Sequence, residues 1–123
     1  MEFGTFDVDQ FRDELDAATG NHHVGTRVLF ENDHVRVWDL AVEPGSRLPF
    51  HTHTTTYFFT CVAGGRMINR FADGNQVTLE MADGDTAFME IAGDAEIHDL
   101  ENVGDTTVRF VTVELLGEAE TAR

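Results

Sequence analysis

The sequence predicts an all-β fold, a jelly-roll β-barrel preceded by a short N-terminal helix. From Thr26 onward, apolar and β-branched residues fall into short runs of strand length. Clusters of Gly, Asp, Asn and Pro separate those runs at close and regular intervals, as in a sandwich or barrel rather than a parallel α/β sheet. Helical spacing is confined to the first twenty residues.

Taken in order, Phe11, Leu15 and Ala18 recur at three- and four-residue spacing, with Asp7 or Asp9 available as the N-cap and Gly20-Asn21 as the stop. Strands are expected at Arg27–Phe30, Val35–Val42, Tyr57–Val62, Arg66–Phe71, Val77–Met81, Thr86–Ile91 and Val108–Leu116. The breaks are Glu31-Asn32-Asp33-His34, Glu43-Pro44-Gly45, Ala63-Gly64-Gly65, Ala72-Asp73-Gly74-Asn75, Ala82-Asp83-Gly84 and Gly104-Asp105. A jelly roll is one standard way for so many short strands to hide their edges. The domain reading is a helical extension over 1–25, a barrel over 26–117 and a disordered tail over 118–123.

Composition narrows the partners. The chain of 123 residues is 41% hydrophobic, enough for one core in one domain. Its net charge of −15 comes from 23 acidic residues against 8 arginines, with no lysine. Such a surface repels nucleic acid and anionic lipid, so neither is expected as a partner. The same bias fits either a salt-adapted source or a GC-rich genome. No apolar run reaches bilayer length, and the acidic N-terminus is unlike a secretory signal. A single cysteine, Cys61, makes no internal disulfide, and together these features read as a soluble cytoplasmic protein.

The chemistry concentrates in Gly45-Ser46-Arg47-Leu48-Pro49-Phe50-His51-Thr52-His53. Two histidines one residue apart on a strand share a face, which in a barrel can be the interior. They form half of a metal site, and His98 in Ile97-His98-Asp99-Leu100-Glu101-Asn102 is the best candidate for a third ligand. Alone, a His-x-His pair is a weak signal, because surface histidines are common. Its neighbourhood is more specific: Gly45, five residues, His51-Thr52-His53, three residues, Tyr57, six residues, Gly64.

That arrangement resembles the first motif of the cupin family, with tyrosine standing where the family has glutamate. The second cupin motif is matched by Gly84-Asp85, His98 and Asn102, without its Pro-x-Gly and with a longer gap. The resemblance spans about Thr26 to Leu116 and implies a cupin barrel holding one divalent metal through His51, His53 and His98. Thr26–Asp33 and His98–Asp105 also look like small cupins of β-alanine degradation. A fold shared so widely implies a metal barrel and not a particular reaction.

Replacing the glutamate by a neutral phenol leaves the metal with a local charge of +2, so an anionic, bidentate substrate is expected to fill its open positions. Imidazole ligation suits zinc, copper, iron and nickel, and manganese is a further candidate. The resemblance favours ferrous iron, because three-histidine cupins include non-haem iron dioxygenases acting on thiols and diketones. Tyr57 is the candidate catalytic residue, as hydrogen-bond donor, acid/base or fourth ligand, against an aromatic core position beside Phe59. Two other classes stay open: an isomerase, hydrolase or lyase with a redox-inert metal, and a barrel that binds a small molecule without catalysis. The family resemblance also implies a homodimer.

The remaining candidates each carry a plain structural reading. Arg47 pairs an anionic substrate or is simply exposed. Glu90, in the place of the missing proline, and Glu96, close to His98, either replace the lost carboxylate or sit on solvated loops. Asp99 and Asn102 hold His98 from behind, or Asn102 closes a turn. Cys61 shares strand parity with Tyr57 and Phe59 and reads as an inert core filler. His22, His23 and His34 are expected to be exposed.

Overall fold

The computed structural model describes residues 1–117, so the tail expected at 118–123 lies outside the described residues. Ten strands form two five-stranded antiparallel sheets: β1 (Glu2–Thr5), β2 (Arg27–Glu31), β3 (Val35–Val42), β4 (Arg47–His53), β5 (Tyr57–Ala63), β6 (Gly65–Arg70), β7 (Asn75–Met81), β8 (Thr86–Met89), β9 (Glu96–Asn102) and β10 (Val108–Leu115). One sheet has the order β1-β7-β6-β9-β4 and the other β2-β3-β10-β5-β8. The jelly-roll barrel expected from the strand pattern is the fold observed.

β10 shows why the pattern works. Val108, Phe110, Thr112 and Glu114 are buried while the residues between them are more exposed, the period-two alternation of a strand with one face on the core. Both sheets feed that core: Leu40, Val42, Cys61, Val108 and Phe110 from one, Met67 and Leu100 from the other. The inert role expected for Cys61 fits its place there, where burial and the nearby Asp83 and Asp85 carboxylates push its thiol up. The buried Glu114 carboxylate accepts Trp38 Nε1–H at 2.7 Å and an Arg36 N–H at 3.3 Å.

Two motif glycines have a steric reason to be glycine. Gly45 turns the chain into β4 at φ +80°, a conformation that side chains disfavour. A Cβ on Gly64 would lie 2.1 Å from the Met81 carbonyl oxygen, so the backbones approach too closely for any other residue.

The N-terminal segment departs from the expected continuous helix. Glu2–Thr5 forms a strand on the edge of β7, from Glu2↔Thr78 to Thr5↔Asn75. A 3-10 turn at Val8–Phe11 follows, its N-cap provided by Asp7, and α1 covers only Arg12–Ala18. The open edge of β7 offers backbone partners that a local helical pattern cannot reveal.

α1 in turn covers the outer edge of β4. Glu14 accepts Phe50 N–H at 2.7 Å, Asn21 Nδ2 donates to the Phe50 carbonyl at 3.0 Å, and Thr52 N–H donates to the Asn21 carbonyl at 2.8 Å. Phe11 packs edge-on against Phe50 with ring centroids 5.5 Å apart. The histidine-bearing strand is thereby held on both sides. Among the described residues no helix is long and apolar enough to cross a membrane.

Candidate metal centre

β4 and β9 are neighbours, and their register builds the site. His51 lies opposite His98, Thr52 opposite Ile97 and His53 opposite Glu96, after a register shift between Leu48 and His51. Strand parity sends His51 and His53 to one face while Thr52 turns away to donate its hydroxyl to the Ala18 carbonyl. β9 repeats the device, since Glu96 and His98 share a face. β9 is not among the strands that the sequence pattern predicts, and Glu96, which reads there as a solvated loop position, lies on it.

The three rings form a nearly equilateral cluster, with centroids 4.9 Å (His51–His53), 4.7 Å (His51–His98) and 5.0 Å (His53–His98) apart. One nitrogen from each lies within 4.8 Å of the others. His51 and His53 are both only 2% exposed. Burial, reinforced by the neighbouring rings, lowers His51 to about 4 and His53 to about 2, and burial alone lowers His98 to about 4. All three are therefore neutral at pH 7, the state in which imidazole is a ligand.

The donor set fits a divalent ion. His51 Nδ1–H donates to the Pro49 carbonyl at 2.9 Å, which fixes the tautomer and leaves Nε2 free to ligate. His53 Nε2 and His98 Nε2 face each other at 3.1 Å, and their Nδ1 atoms are buried without protein partners. Two imidazole lone pairs at that distance repel unless a proton or a cation joins them. Either the Nε2–H of one neutral ring or a bound cation meets that need, and the unpartnered Nδ1 atoms are compatible with both.

Tyr57 joins the cluster. It is 2% exposed, its ring stacks on His53 with centroids 3.9 Å apart, and its hydroxyl donates to Glu96 Oε1 at 2.5 Å. Burial, then the charge and hydrogen bond of Glu96, push the phenol above its ordinary value, so it stays protonated and donates a hydrogen bond. The histidines, Tyr57 and Glu96 open on a cavity of about 120 Å³ whose other walls are mainly apolar, including Leu48, Phe59, Phe71, Met89 and Phe110. Asn69 and Thr112 also line it and were not singled out from sequence, although their strand parity with Met67 and Phe110 points them inward.

The structure decides between the alternative readings of the remaining candidates. Arg47 does not line the cavity: its Nε donates to Asp99 at 2.8 Å and its Nη atoms bind Glu14, so it is committed to the fold. Asp99 is fully buried and accepts from Arg47 and Arg70 rather than from His98. Asn102 closes a turn, donating to the Val42 and Thr106 carbonyls and accepting Gly104 N–H. Glu96 lies on a strand inside the site, whereas Glu90 is exposed, as are His22, His23 and His34.

Acid should act on this cluster in a defined direction. The unfolded chain protonates its histidines near 6.5, while the folded His51 and His98 resist until about 4. Between those values the unfolded state holds more protons, so stability rises with pH. Metal-stripped protein is expected to keep the full contribution above pH 6.5 and to lose it progressively toward pH 4. Thermal melting across that window measures it, and a flat profile would contradict the burial of three neutral imidazoles.

No protein-family model matches the chain, and no curated protein does. Solved structures do. A cupin domain from Bordetella pertussis is similar over 72% of this chain and 88% of its own, with TM-score 0.65 and 24% identity. A conserved protein with a double-stranded β-helix domain from Klebsiella pneumoniae matches over 88% and 91%, with TM-score 0.60 and 21% identity. A cupin-like protein from Thermotoga maritima matches over 79% and 71%, with TM-score 0.57 and 15% identity. These likenesses are of fold, and the fold they show is the cupin jelly roll. The likeness to cupins of β-alanine degradation gains no support from them.

Proposed function

From a cupin barrel with three neutral histidines on one inner face, we propose a metal-dependent enzyme acting on a small, anionic, chelating substrate. The observation that carries this reading is the convergence of His51, His53 and His98 on one point of a mainly apolar cavity. Structural metal sites are normally closed by protein on every side, whereas these histidines face a cavity, which leaves coordination positions for substrate. A bound divalent ion would supply Lewis acidity and, as ferrous iron, electrons for dioxygen chemistry. The apolar walls exclude water and receive the non-polar part of the substrate. Tyr57 Oη holds a proton beside the imidazoles, donated to Glu96 in this structure and transferable to a substrate oxygen only if that bond is exchanged.

Iron-dependent dioxygenation is the first reading, on the resemblance of the triad to three-histidine dioxygenases. The Tyr57–Glu96 pair favours a second, in which a redox-inert metal assists lyase, isomerase or hydrolase chemistry and the phenol carries the proton. Oxygen consumption over a panel of thiols, diketones and hydroxy acids separates them. Iron-dependent uptake supports the first reading, and turnover that persists without oxygen supports the second. Ligand binding that survives metal removal, with no turnover of any panel member, would make the protein a binding barrel instead.

A further inference from the structure

We infer that Glu96 is the fourth protein ligand of the metal, an inference that rests on reading His51, His53 and His98 as the other three.

The argument begins with the ladder. His51↔His98 and His53↔Glu96 are the opposed pairs that flank Thr52↔Ile97 in one antiparallel register. Directly opposed residues bring their Cβ atoms to about 5 Å, and residues two apart on a strand share a face. The four side chains therefore stand at the corners of one patch, three imidazoles and one carboxylate. Two donors bound at about 2.1 Å to one ion lie at most about 4.2 Å apart. Glu96 Oε1 lies 3.9 Å from His98 Nε2, inside that limit.

The charge of Glu96 is otherwise unexplained. It is the one carboxylate lining the cavity among the described residues. Its side chain is 19% exposed and pairs with no arginine among the described residues. Carboxylates withdrawn from water normally pair with a cation or coordinate a metal. Its hydrogen bond to Tyr57 does not compete, because a carboxylate has about four acceptor sites on two oxygens. The carboxylate sits against Tyr57 and only the three histidine nitrogens converge within 4.8 Å of one another, so ligation requires the Glu96 side chain to turn toward them about its soft terminal torsion. Tyr57 then orients the ligand rather than replacing it.

This changes the substrate class. With Glu96 bound, the local charge falls from +2 to +1, so a single negative charge on the substrate neutralises the site.

Cobalt(II) tests the assignment on the full, metal-stripped chain, read by its visible absorption and by calorimetric titration. Glu96→Gln keeps the shape of the side chain, and it is expected to weaken Co(II) binding at least tenfold and to alter the visible band. Glu96→Asp keeps a carboxylate and is expected to retain affinity between the two. Glu90→Gln removes an exposed charge outside the cavity and is expected to bind as wild type. Glu96→Gln with wild-type affinity and spectrum, beside a His98→Ala variant that has lost the ion, would overturn the Glu96 assignment and leave the triad standing. Failure of the wild-type protein itself to bind Co(II) would overturn both. Near-ultraviolet circular dichroism of each variant shows that the fold is intact.

Discussion

His98→Ala is expected to abolish stable metal binding: near-stoichiometric divalent metal in wild-type protein purified without a histidine tag, and a background level in the variant. His98 is the ligand that β9 brings to the His51–His53 pair, and its Nε2 faces His53 Nε2 at 3.1 Å. Removing it leaves two imidazoles on one strand with only Glu96 opposite them across the ladder, too few donors to hold the ion through purification. The barrel is expected to survive, because the change also removes a buried Nδ1 that has no hydrogen-bond partner. Metal content by mass spectrometry measures the effect, with a melting curve to confirm folding. Iron in the wild type would direct the search to oxygen-consuming reactions, and zinc or manganese to proton-transfer chemistry. Metal retained by the variant would mean that the three histidines are not the binding set.

Asp99→Ala is expected to be among the most destabilising single changes, at about 3–5 kcal/mol, the range for removing one partner of a buried ion pair. Asp99 is fully buried and accepts Arg47 Nε–H at 2.8 Å, Arg70 N–H at 2.8 Å and Arg70 Nη1–H at 3.0 Å. Its loss leaves two guanidinium groups under-paired, one of which also ties Glu14 of α1 to β4. Burial pushes the Glu14 carboxyl up, but the hydrogen bonds from Arg47 and Phe50 N–H hold it below its ordinary value, so the tether weakens in acid. Urea denaturation measures the change. Because Asp99 does not line the cavity, the folded variant is expected to bind metal like the wild type. A loss below about 1 kcal/mol would mean that water substitutes for the carboxylate and that the network contributes little.

The strand-rich fold and much of the site were legible because both rest on local periodicity. The alternation in Val108–Leu115 marks a strand wherever it occurs, and His51 and His53 share a face by parity alone. Gly45 and Gly64 sit where a positive φ and a close backbone approach exclude a side chain. The resemblance to cupin motifs then picked out His98 and placed Tyr57 beside the ligands.

What local pattern could not supply was pairing. Arg47 reads alone as a free cation near a metal motif, yet its partners lie 33 and 52 residues away, and they withdraw it from the cavity. Glu2–Thr5 becomes a strand because β7 presents an open edge to it. Glu96 becomes a site residue because the β4–β9 register sets it opposite His53, and a slip of one residue would turn it to the other face. The sequence by itself therefore determined most of the strands, the tight glycines and the histidine pair, all of which follow from neighbours along the chain. The tertiary structure alone decided which carboxylate meets the triad and which arginine is tied up, because register and long-range ion pairs exist only once distant strands are side by side.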